Sequence, residues 1–411
     1  MTENLNILCQ NQLKIVSKLN LYSKEFINRL LHPDNEIIVN FPVTLENGKT
    51  EMFKGYRIQH NNLLGPYKGG LRFHPICHLD ECKALACWMT IKCSLQKLPL
   101  GGGKGGIKFN PRDYSKKDLE SISKKFSRSL SKFIGGKVDV PAPDVGSNSQ
   151  IMDWMTSAYK NITDSHDNST FTGKSLNYGG SEGRTEATGR GLMICVRRYY
   201  NNRNIDTNGK TFIIQGFGNV GSFSASLLAS ELGMVCVGVG DHTGYILNEN
   251  GYDVKELTNY CKNNGSIDGY QTEKVDKNTF FSIKTNIIVL AALELQICND
   301  FANKLNCELI VEGANGPTNL GADKILEERG IEVLPDVLVN SGGVVVSYYE
   351  WLQNESKNYW SREKVLGKLE NQMNNTFDKV EEIKKKENKS WRTSSYILSL
   401  NNLYYSYQMK N

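Results

Sequence analysis

No apolar run among the 411 residues approaches the ~20 that a membrane-spanning helix needs. No two cysteines have CxxC spacing, so the sequence lacks the paired-thiol signature of structural zinc sites and thioredoxin-like redox motifs. Charge of one sign is also scarce: 49 Lys and Arg against 44 Asp and Glu leave a net +5. That balance makes no case for a nucleic-acid or membrane surface, although one locally positive pocket is compatible with it. Arginine is missing before Arg29 and Glu3 comes early, so neither a secretory signal nor an Arg-rich transit peptide fits, and a cytoplasmic location is expected. Proline is sparse, and no repeat or low-complexity linker interrupts the chain. At this length one ordinary core is too small, and two domains are expected.

Ten cysteines are present, most closely spaced at Cys77, Cys82, Cys87 and Cys93, with His74 and His78 nearby. Steps of five and six residues put such thiols on different faces of a helix, so reduced, buried cysteines are expected and a shared metal is not.

Glycine is plentiful where it is least comfortable. In "LPLGGGKGGIKF", Leu98 to Phe109, five glycines surround Lys104. Ordered glycine is entropically costly, so the run implies tight turning or close approach of the backbone to a ligand. It is not a P-loop, since Leu98 and Gly105 stand where that motif needs Gly and Ser or Thr. The stretch reads as a loop that carries a lysine.

Up to about Val140 the chain mixes extended stretches ("EIIVNFPVTL", "TEMFKGYRIQH") with helical ones ("HLDECKALACWMTIKCSLQKL", "SKKDLESISKKFSRSLSKFI"). From about Ser181 short apolar runs alternate with helical patterns. "TFIIQGFG", "MVCVGVGD", "NIIVLAA", "CELIVEGANG" and "IEVLPDVLVN" suit five strands of a parallel sheet covered on both faces. The last part of the chain is helical and charged.

"GFGNVG", Gly216 to Gly221, follows the first of these strands and opens a helix. Asp241 ends the next strand about twenty residues on, which completes a dinucleotide fingerprint. The helix N-terminus offers unpaired N–H groups to a pyrophosphate. Asp241 should accept from the adenosine ribose, favouring NAD over NADP, while Gly240 and His242 leave space and a cation for a 2′-phosphate.

A nicotinamide cofactor implies hydride transfer, so the preceding domain should hold the substrate. Lys68 in "LGPYKGGLRFHP", Lys92 in "MTIKCSL" and Lys104 are each pressed by glycine or apolar neighbours, and "VDVPAPDVG" presents Asp144 between stiffening prolines. With "GRTEATGRG", "QGFGNVG", "VEGANGPT" and "NSGGVVVSYYEW", these motifs resemble the glutamate dehydrogenases of the Glu/Leu/Phe/Val dehydrogenase family through nearly the whole chain.

The resemblance implies reversible NAD(P)-dependent oxidative deamination of L-glutamate to 2-oxoglutarate and ammonia, with no metal. It implies an α/β fold of two domains with a cleft between them. Residues 1–180 plus about 375–411 would form a substrate-binding and oligomerisation domain, usually hexameric, and residues 181–374 a Rossmann-like domain. By motif, Lys104 and Asp144 would be catalytic. Lys92 would hold the α-carboxylate, and Lys68 with Ser347 the distal carboxylate. Gly70, Met89, Ala142 and Val344 would line the same pocket. Met89 stands where several relatives have Gln. Thr188, Gly216, Gly218, Asn219, Val220, Gly221, Asp241, Asn315 and Asn340 would contact the cofactor. Burial and the charges of Lys68 and Lys92 should lower the Lys104 pKa so that it can activate water. A buried ammonium at Lys68 needs an anion, which the distal carboxylate of glutamate supplies.

Overall fold

In a computed structural model, which describes residues 4–165, 167–270 and 273–410, the chain divides into two units. Met1–Arg184, Val344–Gly367 and Ser399–Asn411 form the first, and Thr185–Gly343 with Lys368–Leu398 the second.

The first unit opens with two helices, α1 (Leu5–Ser17) and α2 (Lys24–Leu30), before a hairpin of β1 (Asn35–Thr44) and β2 (Thr50–Asn61). Strand β3 (Tyr67–Phe73), helix α3 (Leu79–Leu95), strand β4 (Gly102–Ile107), helix α4 (Lys116–Leu130), strand β5 (Asp139–Pro143) and helix α5 (Ser149–Thr163) follow. The sheet order is β1-β2-β4-β3-β5; β2 runs antiparallel to β1 and β4, while β3 is parallel to β4 and β5. One core layer lies under α4, whose Ile122, Phe126 and Leu130 recur at helical spacing and meet Phe41, Phe53 and Phe73 of the sheet. Phe126 lies directly over Gly55: a Cβ there would stand 2.3 Å from its ring.

Helix α3 starts where His78 caps it, its Nδ1 accepting from the Glu81 backbone N–H at 3.1 Å. Cys77 lies just outside this cap and packs on Cys82 one turn inside, with the sulfurs 3.9 Å apart. Helical stepping from Cys77, which puts these thiols on different faces, therefore fails because Cys77 precedes the helix.

The second unit begins with α6 (Ala187–Asn201), β6 (Thr211–Gln215), α7 (Asn219–Leu232), β7 (Val235–Asp241) and β8 (Gly244–Leu247). It continues through α8 (Val254–Asn264), α9 (Lys277–Ser282), β9 (Ile287–Leu290), α10 (Asn299–Ala302), β10 (Leu309–Glu312), α11 (Leu320–Glu328), β11 (Glu332–Leu334) and α12 (Asp336–Val339). The order is β11-β10-β9-β6-β7-β8, parallel except for β8. Strands β9 and β10 are buried at every position, as continuous apolar runs require. Two details differ from the sequence reading. The short hairpin strand β8 adds a sixth strand. "IEVLPDVLVN" is extended only as far as Leu334, because Pro335 carries no N–H for a ladder and opens α12 instead.

Three helices complete the chain: α13 (Gly342–Ser356), α14 (Arg362–Glu387) and α15 (Trp391–Lys410). The division drawn from sequence gave 344–367 to the nucleotide unit and 375–398 to the first. The contacts assign them the other way. On α13, Ser347 bonds Thr172 and Glu350 pairs with Lys174. On α14, Glu370, Asp378 and Glu381 take ion pairs from Arg197, Arg198 and Arg203 around α6. Charge patterning marks these helices as solvated without naming the partner that each charged face meets.

Candidate active site

The glycine-rich stretch is a strand, β4, and not a loop. All six of its residues are buried, and none of its glycines has positive φ, so turning is not their purpose. Close approach is, but to protein. A Cβ on Gly102 would lie 2.1 Å from Thr90 Oγ1 and 2.5 Å from the Ala86 carbonyl of α3; one on Gly106 would lie 2.0 Å from the Arg72 carbonyl. The glycines let α3, the helix of Met89 and Lys92, settle onto the strand of Lys104.

Sheet register gathers the other predicted residues. Gly70 pairs with Ala142, and Leu71 with Gly105, so period-2 alternation sets Lys68, Gly70, Ala142 and Lys104 on one face. Asp144 follows β5 in a turn fixed by Ser147, whose Oγ accepts from the Asp144 N–H at 2.9 Å and donates to the Leu71 carbonyl at 2.7 Å. Gly146 closes that turn at φ +74°, in the left-handed region. Gly70 matters here: a Cβ would stand 2.8 Å from the Asp144 Cβ. The Asp144 carboxylate forms a buried ion pair with Lys104 Nζ and lies 3.7 Å from Arg72 Nε. Burial pushes its carboxyl up, but the Lys104 ammonium and the Arg72 guanidinium outweigh burial and hold it at about 2.

Lys68 is 1% exposed. Burial, then the Arg184 and Arg57 guanidinia, push its ammonium down to about 7. Among the described residues no carboxylate forms an ion pair with it. Glu350, which draws it the other way, is committed to Lys174 at 2.9 Å. Burial pushes the Cys93 thiol up to about 12, and the charges of Lys68 and Lys92 both oppose that shift. Val344 and Ser347 share one face of α13 at (i, i+3) spacing, and the Ser347 hydroxyl is 2.7 Å from that of Thr172.

Thr172 and Arg184 were missed from sequence. Thr172 lies in no glycine or lysine motif and gives no signal. Arg184 opens the "GRTEATGRG" motif, in which only Thr188 was singled out; its buried Nε has no hydrogen-bond partner. Thr172 meets Ser347, and the charge of Arg184 acts on Lys68.

In the second unit the three fingerprint glycines have three different surroundings. Gly216 turns at φ +96° against Ala291, and Gly221 lets α7 pack on the strand, since a Cβ would lie 1.8 Å from the Gly216 carbonyl. Gly218 has nothing within 4 Å of a Cβ, and it caps α7 with no side-chain hydrogen bond, so the first N–H groups of the helix remain for an anion. Asn219 donates to the Thr185 carbonyl at 3.3 Å; Val220 follows it on α7, and Thr188 lies in the first turn of α6. Asn340 donates to Asn315 Oδ1 at 3.1 Å and to the Gly313 carbonyl at 3.2 Å, while its own buried Oδ1 has no partner. An open glycine, an uncapped helix start and an orphaned carbonyl fit a dinucleotide with a carboxamide end. Asp241 is busier than expected: Oδ1 accepts from the Thr243 N–H and hydroxyl at 2.7 and 2.6 Å, and Oδ2 from the Ile267 N–H at 2.9 Å.

Among the described residues no helix is long and apolar enough to cross a membrane, and no group of three or more His, Cys, Asp or Glu could hold a metal ion. The model of the Glutamate/Leucine/Phenylalanine/Valine dehydrogenase family matches residues 179–410, and that of the Glu/Leu/Phe/Val dehydrogenase dimerisation domain residues 33–161. A glutamate dehydrogenase of Thermotoga maritima is 43% identical over 378 residues, 92% of this chain and 91% of its own. An NAD-specific glutamate dehydrogenase of Staphylococcus aureus is 39% identical over 402 residues, 97% of each. A hetero-hexameric glutamate dehydrogenase of Thermus thermophilus, solved with leucine bound, superposes with a TM-score of 0.94 at 31% identity, covering 98% of this chain and 95% of that one. Similarity of this extent, carried by both units, leaves one assignment: the chain belongs to the Glu/Leu/Phe/Val dehydrogenase family.

Proposed function

We propose that the chain is an NAD-dependent glutamate dehydrogenase, which interconverts L-glutamate with 2-oxoglutarate and ammonia. The observation that carries the substrate is Lys68, a fully buried amino group whose positive charge is disfavoured by burial and by two guanidinia and which, among the described residues, has no ion-pair partner. A buried cation of this kind is costly until an anion arrives, and the distal carboxylate of glutamate is that anion. An apolar side chain would leave the cost in place. The NAD-specific relative supports the coenzyme.

Each unit supplies one part of the chemistry. In the first, Lys92 receives the α-carboxylate, while Lys68, Ser347 and Arg184 receive the distal one. Gly70, Met89, Ala142 and Val344 shape the walls. In the second, the start of α7 receives the pyrophosphate and Asp241 the adenosine ribose; Asn340 with Asn315 and Thr188 receive the nicotinamide end. When bound, the dinucleotide takes up the hydride that leaves Cα.

The chain's own residues handle protons. Asp144, held as a carboxylate, accepts the proton from the substrate ammonium and so frees the nitrogen lone pair that forms the iminium. Once it has released its own ammonium proton, Lys104 takes a proton from the water that attacks the iminium carbon and gives it back to the departing amine. Their contact lets a proton pass between them without bulk water. The family's dimerisation domain and the hexameric relative support an oligomer, and a homohexamer is the form we propose for a single chain type, to be checked by sedimentation. A cytoplasmic location goes with the same reading.

The test is an NADH absorbance assay with glutamate, leucine, norvaline and no amino acid, each with NAD and with NADP. Glutamate with NAD should be fastest by a wide margin. Equal rates with leucine would end the reading.

A further inference from the structure

The mechanism leaves one buried charged cluster in the second unit without a role. Arg392 on α15 directs its whole guanidinium at three carboxylates. Its Nε and Nη2 donate to Asp323 at 2.7 and 2.9 Å, and Nη2 and Nη1 donate to the two oxygens of Glu312 at 2.8 and 2.9 Å. Nη1 also reaches Asp336 Oδ1 at 3.5 Å. Glu312 and Asp336 are fully buried.

Two of these carboxylates bracket one loop. Glu312 is the last residue of β10, immediately before Gly313. Its Oε2 also accepts from the Asp336 N–H at 3.0 Å. Asp336 spends its other oxygen on the Gly316 N–H at 2.9 Å, and Gly316 turns at φ +50°. Four residues beyond Asp336, Asn340 closes the loop from the other side through Gly313 and Asn315. Asp323, on α11, touches none of this loop through the bonds above.

We infer that Arg392 is a positioning residue for the loop at 313–317: through Glu312 and Asp336 it fixes the backbone on which Asn315 and Asn340 meet the dinucleotide. The inference rests on the reading of the second unit as the dinucleotide unit. Lysine in place of Arg392 keeps one charge but loses the planar fork, so it cannot serve Glu312 and Asp336 together. The loop then loses its fixed geometry while the core stays filled.

The test compares Arg392→Lys, Asp336→Asn and Asp323→Asn with wild type in NADH fluorescence titration, thermal melting and hydrogen exchange of the 313–318 amides. Asp336→Asn is the second route to the loop, because one amide oxygen cannot replace two carboxylate oxygens. Arg392→Lys and Asp336→Asn should raise the NADH dissociation constant about three- to thirtyfold and speed exchange at Gly316. KM for NAD should rise, with KM for glutamate within about twofold of wild type. Asp323→Asn should lower the melting temperature yet leave NADH affinity within about twofold. If Arg392→Lys and Asp336→Asn only lower the melting temperature, with NADH affinity and Gly316 exchange unchanged, Arg392 is a core clasp and the inference is overturned. Should the wild type bind no NADH while Gly316 exchange still responds to Arg392→Lys, the dinucleotide reading fails and the coupling of Arg392 to the loop stands.

Discussion

Lys104 Nζ and Asp144 Oδ2 meet in a buried ion pair that joins the central strand β4 to the turn after β5. The two residues are forty apart in sequence and reach each other only because β3 stands between their strands, with Gly70 leaving room for the Asp144 side chain. Lys104→Ala should therefore remove the proton acceptor and leave Asp144 beside Arg72 alone. Turnover should fall by about 10²–10⁴. NADH affinity, set in the other unit, should stay within about twofold. Single-turnover NADH formation and fluorescence titration check both halves; turnover within a few-fold of wild type would remove Lys104 from the chemistry.

In the function proposed above, Lys68 and Lys92 divide the substrate between them. Lys68→Leu makes glutamate bury an unpaired carboxylate, a penalty of about 3–5 kcal/mol, so kcat/KM for glutamate should drop by about a hundred to several thousand. Norvaline, which has no distal charge, should lose far less. Lys92→Leu should damage both substrates alike, since all amino acids share the α-carboxylate. Proportional losses in the two variants would show that the roles are not separate.

The lowered Lys68 pKa gives binding a pH dependence of definite sign. Free protein carries a neutral Lys68 above about 7, whereas a bound dicarboxylate requires the ammonium. Glutarate, an unreactive dicarboxylate, should thus take up a proton on binding, and its affinity should fall as pH rises above about 7. Calorimetry in two buffers of different ionisation enthalpy measures the uptake directly. Wild type should show it near pH 8, and Lys68→Met should show much less. Identical uptake in the two proteins would place the titrating group elsewhere.

Much of this site could be read from the chain because it is built from backbone rules. The dinucleotide turn follows from three glycines whose spacing matches a strand-turn-helix, and each has its own physical reason. The lysines stood out because glycine or apolar neighbours flank them. The β4 glycines were misread as a loop because sequence shows that something must come close to them, but not what. Here the close neighbours are the Ala86 and Arg72 carbonyls, which belong to a helix and a strand in contact with β4 only after folding. Thr172 is hidden for the same reason, since its partner Ser347 is distant in sequence and no motif surrounds it, whereas Arg184 lies within a motif but acts on Lys68, more than a hundred residues away.

That reading of β4 makes Gly102 a sensitive position. Alanine there would press on Thr90 and on the Ala86 carbonyl, neither of which can yield without moving α3. Gly102→Ala should cost about 1–3 kcal/mol of stability and raise KM for glutamate, because α3 carries Lys92. Gly367 is the counterpart: in α14, with nothing within 4 Å of a Cβ, its change to alanine should stabilise by about 0.5–1 kcal/mol. Denaturant titration of both variants checks the pair. A neutral Gly102→Ala would mean that α3 adapts more freely than its packing implies.

Asp241 tests coenzyme choice, and its crowded carboxylate changes what the test must separate. Three hydrogen bonds from Thr243 and Ile267 already occupy most of the roughly four acceptor positions of a carboxylate, so a ribose must share what remains. Asp241→Ser removes the proposed ribose acceptor and the anchor of the Ile267 N–H together. The first loss weakens NAD selectively, by about 1 kcal/mol or more for a charge-assisted bond, since the negative charge that disfavours a 2′-phosphate disappears as well. The second loss loosens the 267 segment for either coenzyme. Selectivity therefore lies in the ratio, not in the absolute rate: kcat/KM for NAD over NADP should fall by about fivefold or more. A uniform loss for both coenzymes, at constant ratio, would assign Asp241 to holding the Ile267 segment and leave the choice of coenzyme to its neighbours.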